Sequence, residues 1–345
     1  MSKLATHQNI IQAAGLAPGN SLRLRVLTFN LGENKKSKAE WEQEFAQWPM
    51  LTDKQYDLLS VALQEDFATQ LAQGKLRQAL TEFMAKQGYA EAVKASTTPA
   101  KINEPFAVKG VTFVRKDIYD SAFLAPNNAR EPYVSTKTLC LGAGLKKIAC
   151  TKATVGVKTV LGGPYSLDYT FLASHMPINT KVDDLGYAER VEAMKQSVAK
   201  VVLPLTPATP KNRLLVWAGD LNFRTDAGGK DQLTEALRSE QGFGISLRED
   251  EARLLQMKPT CKMVPCTDQA CPICRQRVSE SDPTCYQTET KKGQRVPSRC
   301  DRVLHAFVPR SSASSVTQTA YNAFSAPAVR ISDHNAVVAD FVLNL

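Results

Sequence analysis

A chain of 345 residues with 43% hydrophobic and 22% charged residues has a globular composition, which excludes a wholly disordered or collagen-like chain. Lys plus Arg number 43 against 34 Asp plus Glu, a balance of +9 that suits anionic partners but, spread over the whole length, serves equally as a solubility device. No apolar run approaches the roughly 18 to 20 residues of a membrane helix, and Met1 to Ala14 lacks the apolar stretch of a secretory signal.

In chain order, residues 1–20 read as an N-terminal extension. Ser21 to Asn30 alternates like a strand, Asp57 to Gln64 is a short buried strand ending at Glu65, and Thr69 to Tyr89 has helical spacing with Gly88 as its stop. Gly110 to Arg115, Lys152 to Val160 and Leu167 to Ser174 read as three more strands. Tyr187 to Leu203 reads as a helix stopped by Pro204, Pro207 and Pro210. Leu214 to Gly219 is a buried strand ending at Asp220, and Leu233 with Leu237 marks a short helix. Residues 258–299 read as irregular, Arg302 to Val308 and Ala336 to Leu343 as the last strands, and Pro309 to Ser325 as a loop. Strands without strict βα alternation and without a Gly-rich nucleotide fingerprint favour packed sheets with helices outside over a doubly wound parallel sheet.

The chemistry-bearing residues fall at strand ends: Asn30, Glu65, His175, Asp220 with Asn222, Asp301, and Asp333 with His334. Asn and Asp commonly end strands because they form turns. Six such places on one scaffold nevertheless assemble a working set. Glu65 offers hard oxygens suited to Mg²⁺. Asp220 can take a proton from water, Asn222 and Asn30 can orient hydrogen bonds, and His175 and His334 can donate to phosphate oxygens. Asp301 or Asp333 can hold His334 in place. This is equipment for metal-assisted hydrolysis of a phosphate ester, with no activated Ser or Cys nucleophile in sight.

Two segments carry a family resemblance. Trp217-Ala218-Gly219-Asp220-Leu221-Asn222-Phe223-Arg224 resembles the W-x-G-D-L-N-[YF]-R signature of inositol polyphosphate 5-phosphatases, and Pro297 to Leu304 resembles their P-A-W-C-D-R-[IV]-L signature. Phe29-Asn30, Gln64-Glu65, Ser174-His175-Met176 and Ser332-Asp333-His334 resemble patterns of the wider endonuclease, exonuclease and phosphatase superfamily. The resemblance implies an α/β fold, a four-layered α/β sandwich of two packed mixed sheets flanked by helices, forming one catalytic domain over residues 21–345. It implies Mg²⁺ at Glu65 with help from Asn30, Asp220 as general base, phosphate contacts from Asn222, His334 and His175, and Asp301 paired with His334. It also implies substrate contacts from Lys262, Lys291, Arg295 and Arg224, the first three around a ring 4-phosphate. The chain departs from the pattern at Cys261, where the family has an aromatic residue, at Arg299, where it has Trp, and at Thr151-Lys152-Ala153-Thr154.

Six of the eight cysteines lie between Cys261 and Cys300, within and beside a Cys-rich insertion at about 263–285. Cys266, Cys271, Cys274 and Cys285 could hold a structural Zn²⁺, form disulfides, or remain free thiols. The expected activity is Mg²⁺-dependent removal of the 5-phosphate from phosphoinositides or soluble inositol polyphosphates. The alternatives are a phosphodiesterase of the same superfamily, such as a nuclease or sphingomyelinase, or a catalytically weak phosphoinositide-binding protein. A cytoplasmic monomer touching membranes peripherally is expected, nucleic acid is disfavoured, and delivery into a host cell stays open.

Overall fold

The structure is a computed structural model that describes residues 21–32, 36–53, 55–66, 75–96, 107–122, 134–141, 150, 152–162, 165–179, 186–206, 211–225, 230–239, 243–257, 259–261, 263–265, 284–286, 289–290, 293–294, 298–324, 332 and 334–345. Eleven of its strands form two mixed sheets. The first has the order β14-β15-β1-β2-β4-β3, built from β1 (Ser21–Asn30), β2 (Leu58–Asp66), β3 (Tyr89–Ser96), β4 (Ala107–Arg115), β14 (Ser315–Phe324) and β15 (Ala336–Asn344). The second has the order β13-β8-β7-β6-β5, from β5 (Val134–Cys140), β6 (Ala153–Leu161), β7 (Leu167–His175), β8 (Asn212–Asp220) and β13 (Asp301–Val308). Each contains one parallel pair, β1 with β2 and β7 with β8, among antiparallel ones. Two short ribbons, β9 (Met263–Pro265) with β10 (Thr284–Tyr286) and β11 (Glu289–Thr290) with β12 (Gly293–Gln294), lie in the segment read as irregular.

Three apolar clusters make four layers. Between the sheets, Leu24 and Val26 of β1 meet Phe171 and Ala173 of β7, Val216 and Ala218 of β8, and Ala339 and Phe341 of β15. Outside the first sheet, Leu27, Phe29 and Phe113 pack on Trp41 and Phe45 of α1 (Lys38–Gln47) and on Leu80 and Phe83 of α3 (Lys75–Lys86); α2 (Pro49–Thr52) adds Met50 and Leu51. Outside the second sheet, Leu172 and Trp217 pack on Met194, Val198 and Val201 of the helix that starts with α5 (Tyr187–Ser197), and on Leu233 of α6 (Gln232–Arg238). Because both faces of β7 are covered, all nine of its residues are buried; what alternates along it is the cluster each side chain joins. The expected four-layered sandwich is the observed one.

The differences are local. Pro309 to Ser325 was expected to be a loop, yet Ser315–Phe324 is the edge strand β14, antiparallel to β15. Its outer face is exposed and carries Ser315, Thr317 and Thr319, so polarity masks a strand that needs only one neighbour. The helix expected to stop at Pro204 runs on to Leu205. It widens into a π-helical turn over Val198–Val202, with Leu203 N–H bonded to Val198 C=O, just where the Pro204 ring would otherwise meet the preceding turn. α1, β3, β5, α4 (Lys116–Ala122) and α7 (Glu251–Gln256) were not expected. α1 starts in a capping box between Ser37 and Glu40 and buries only Trp41 and Phe45, too few apolar positions for a clear stripe. Cys140 and Cys150 form a disulfide that ties the end of β5 to the chain leading into β6. Among the described residues no helix is long and apolar enough to cross a membrane.

Candidate active site

The site lies where the two sheets present their ends side by side. In the second sheet, register places His175 opposite Asp220 and Asp220 opposite Asp301, so three strand ends form one row. In the first sheet Asn30 is paired with Gln64, and Glu65 follows. The rows are joined by Asn30 Nδ2, which donates to Asp220 Oδ2 at 3.0 Å across the interface between the sheets.

Local backbone geometry aims these groups. Gly219 has φ of +154°, and a Cβ there would sit 2.0 Å from the Ser174 carbonyl oxygen; only glycine lets β8 run this close to β7 before Asp220. Glu65 and Asn222 are two of four non-glycine residues with positive φ among the described residues, at 54° and 56°. Glu65 also falls where the pairing of β2 with β4 slips between Leu63 and Asp66, a bulge that re-aims its side chain. Asn tolerates the left-handed region; for Glu it stores strain, a pattern that clusters at functional sites.

Asp220 is the hub. Its Oδ1 accepts the Asn222 N–H at 3.0 Å, and its Oδ2 lies 3.3 Å from His175 Nε2, which is 3.6 Å from Glu65 Oε1. Burial alone would raise the Asp220 pKa, but the His175 hydrogen bond and the charges of His334, His175 and Lys152 hold it well below the usual carboxylate range. Burial and the Lys152 charge push His175 down, against the pull of Asp220 and Glu65. Lys152 Nζ contacts His175 Nε2 directly. Asn222 is fixed on both sides of its amide: Nδ2 donates to the Met176 carbonyl at 2.9 Å, and Oδ1 accepts from Arg224 at 3.0 Å.

Opposite Asp220, His334 Nδ1 lies 2.8 Å from Asp301 Oδ2, while Asp301 Oδ1 is buried with no hydrogen-bond partner among the described residues. Burial, opposed by His334, pushes the Asp301 carboxyl up to about 7. Thr260 holds this end of β13 in place: its Oγ1 accepts the backbone N–H groups of Cys300 and Asp301, each at 3.0 Å. Arg224 lies behind Asn222, almost wholly buried, and spends its other amino group on Cys261 Sγ at 2.8 Å. The charges of Cys300, Cys261, Asp220 and Asp301 raise its pKa in spite of burial.

Two donor sets could face a cation. Asp220, Asp301 and His334 have ligand atoms within 4.8 Å of one another, but all are buried and Nδ1 of the histidine is engaged by Asp301. Glu65 fits a hard divalent ion better: it offers oxygen, its side chain is 25% exposed, and it pairs with no Lys or Arg among the described residues, while the neighbouring Asn30 is buried with its Oδ1 accepting the Gly32 N–H at 3.1 Å.

The structure thus brings together Asn30, Glu65, His175, Asp220, Asn222, Arg224, Asp301 and His334. Lys262, Lys291, Arg295 and Asp333 lie outside the described residues, as do Cys266, Cys271 and Cys274 and the side chain of Cys285. Lys152, Thr260 and Cys261 were not expected at the site. In sequence, Cys261 and Lys152 stood out only as departures from the family pattern and Thr260 only as a neighbour of Lys262, so no site role was assigned to any of them.

The sequence model described as Endonuclease/Exonuclease/phosphatase family 2 matches residues 27–340. The family match makes the chain a hydrolase of the endonuclease, exonuclease and phosphatase superfamily, and the fold agrees. The chain belongs to its family 2. No curated protein sequence matches it. Among solved structures it is similar to the inositol polyphosphate 5-phosphatase domain of SpSynaptojanin, solved with inositol (1,4)-bisphosphate and calcium ion, at TM-score 0.62 and 16% identity over 99% of this chain and 89% of that one. It is also similar to the Cimex nitrophorin ferrous NO complex, at TM-score 0.59 and 16% identity over 95% and 100%. Humanized D. rerio TDP2 follows at 0.50 and 13%, over 92% and 98%.

Proposed function

We propose that the protein is a Mg²⁺-dependent phosphomonoesterase that removes the 5-phosphate of phosphoinositides or soluble inositol polyphosphates by direct attack of water. The observation that carries this reading is the meeting of the two signature segments at one point, with Asp220 and Asp301 opposite each other in register and each engaged with a histidine. Asp220, ionised at neutral pH and fixed by Asn30 and the Asn222 N–H, orients the water and takes its proton as the bond to phosphorus forms. His334, with Nδ1 committed to Asp301, donates to a phosphate oxygen, and the Asn222 amide and His175 steady the same group. Glu65 and Asn30 would hold Mg²⁺, which supplies charge stabilisation to the leaving oxygen when bound. Arg224 keeps Asn222 in position. Lys262, Lys291 and Arg295 would grip a ring 4-phosphate, since several cations around one dianion give a charge-assisted hold. A peripheral contact with anionic lipid is compatible with the +9 charge.

Phosphate release from a panel of phosphoinositides and inositol phosphates, with Mg²⁺ and with chelator, tests this reading beside a plasmid-nicking control. Mg²⁺-dependent release confined to substrates with a 5-phosphate is expected. The second reading, a phosphodiesterase acting on nucleic acid, draws on the same positive charge, and nicked plasmid without phosphate release would replace the first by it. Lys262→Ala should weaken substrates bearing a 4-phosphate about tenfold or more relative to those without, the scale of one charge-assisted hydrogen bond. An equal loss on both would remove Lys262 from ring recognition.

A further inference from the structure

Cys261 and Cys300 come from segments on either side of the Cys-rich insertion and meet beneath the site, both completely buried. Their sulfurs are 2.9 Å apart, closer than two unbonded sulfurs rest and about 0.9 Å longer than an S–S bond. They are the free cysteines among the described residues, in contrast to the bonded Cys140–Cys150 pair. Each is tied to the hydrolytic machinery. Cys300 precedes Asp301 and shares its backbone anchor on Thr260 Oγ1. Cys261 bridges through its backbone to both Ser298 and His334, and its sulfur accepts the hydrogen bond of Arg224. The other amino group of Arg224 holds Asn222, and its Nε has no hydrogen-bond partner among the described residues.

We propose that Cys261 and Cys300 are an oxidation site, a dithiol that a peroxide converts to a disulfide, and that closing this bond takes the sulfur partner from Arg224 and turns hydrolysis off. The guanidinium beside Cys261 favours its thiolate, the reactive form. The thiolate sulfur attacks one oxygen of hydrogen peroxide; the O–O bond breaks, giving a sulfenic acid on Cys261 and hydroxide. The Cys300 sulfur then attacks Cys261 Sγ; the S–O bond breaks, and the departing oxygen leaves as water with the Cys300 thiol proton. The two sulfurs lose two electrons and the peroxide gains them, so thiolate, thiol and hydrogen peroxide give disulfide, water and hydroxide. A disulfide sulfur carries no charge and accepts hydrogen bonds poorly. Arg224 is then a buried cation with one strong side-chain acceptor, and the amide it steadies, Asn222, loses its fixed geometry. Burial sets the oxidant class: with no exposed surface at either cysteine, glutathione disulfide is too large, which leaves a small peroxide.

The switch half of this inference rests on the phosphatase reading; the oxidation site does not. Reduced full-length protein is treated with graded hydrogen peroxide, or with glutathione disulfide, then divided for peptide mapping and for phosphate release. Peroxide should produce a linked Cys261–Cys300 peptide, and activity should fall at least about tenfold in step with it and return with dithiothreitol. The Cys140–Cys150 peptide is the internal standard for a bonded pair. Cys300→Ser should give no linked peptide, and its Cys261, lacking a resolving thiol, should advance to sulfinic acid, which dithiothreitol does not reverse. Cys261→Ser should show a lower kcat with little change in KM, since it alters the support of Asn222, and should also be insensitive to peroxide. Absence of the linked peptide would overturn the oxidation site, as would bridging by glutathione disulfide as readily as by peroxide. A linked peptide with unchanged activity would overturn the switch. If the reduced protein releases no phosphate at all, the phosphatase reading fails while the peptide map still decides the oxidation site.

Discussion

Asp301 and Arg302 are neighbours in β13, both fully buried and both charged in their usual states, yet they sit in opposite kinds of environment. Arg302 points away from the site. It donates to both oxygens of Glu249 and both of Asp231 and to the Arg299 carbonyl, and Glu249 is further held by Tyr321. Every part of that network faces a partner, which is what a buried charge requires if it serves structure alone. Asp301 points between the sheet ends, with one oxygen on His334 and the other without a partner. Nearby, His175 Nδ1 and Arg224 Nε are likewise buried without partners among the described residues. A fold that satisfies Arg302 so completely one residue away leaves these three buried atoms unpartnered around the two strand ends.

The largest expected effect falls on the open side. Asp220→Asn keeps shape and loses the charge that takes a proton, so turnover should drop by ~10³-fold or more, the scale of a general base. Circular dichroism and the unfolding midpoint should stay near those of the parent. Normal turnover in the folded variant would remove Asp220 from its role. Glu65→Gln should instead raise the Mg²⁺ concentration needed for half-maximal activity, and an unchanged Mg²⁺ titration would move the ion to another set of residues.

On the closed side the order reverses. Arg302→Met leaves Glu249 and Asp231 without their cation, and breaking a buried pair of this kind costs about 3–5 kcal/mol. Urea denaturation should show that loss, while the kcat of the protein still folded should change little. A large loss of kcat at unchanged stability would mean that the satisfied network also serves the chemistry.

This contrast explains what was legible in the sequence. β7 and β8 are buried on both faces, so they read as apolar runs, and a polar residue at the end of such a run stands out; that is how His175 and Asp220 were found. Packed sheets were legible because the strands do not alternate strictly with helices, and the four layers came with the family resemblance. β14 was not, because an edge strand with a wet face has no such run, and α1 was not, because two aromatic residues are its whole inner face. Within the site, residues that touch substrate in the proposed reaction carried recognisable types and spacings. Residues that hold them did not: Thr260 works through a hydroxyl on two backbone N–H groups, and Cys261 reads in sequence as a missing aromatic. Support of that kind depends on which loop arrives beside which strand, and that is a property of the packed sheets.

His305 sharpens the comparison, because its partly buried ring also has a buried, unpartnered nitrogen, Nδ1, among the described residues. It lies on β13 beyond the site, edge-on to Phe341 at 5.2 Å between ring centres, with no carboxylate hydrogen-bonded to it. Burial, with the Arg248 charge in support and Asp250 opposed, pushes its pKa down to about 4. Between an unfolded value of roughly 6.5 and the folded value, the unfolded chain binds a proton that the folded protein refuses. Stability from this group is therefore intact above about pH 6.5 and falls by ~1.4 kcal/mol per unit as the pH drops, for a total of about 3 kcal/mol by pH 4. His305→Phe should flatten that part of the stability profile and leave the pH dependence of kcat as it was. If it shifted the kcat profile instead, an open buried nitrogen anywhere in this fold would count as a sign of catalysis. If it shifts stability alone, the sign is the cluster: several open atoms, opposite charges and two strand ends at one place.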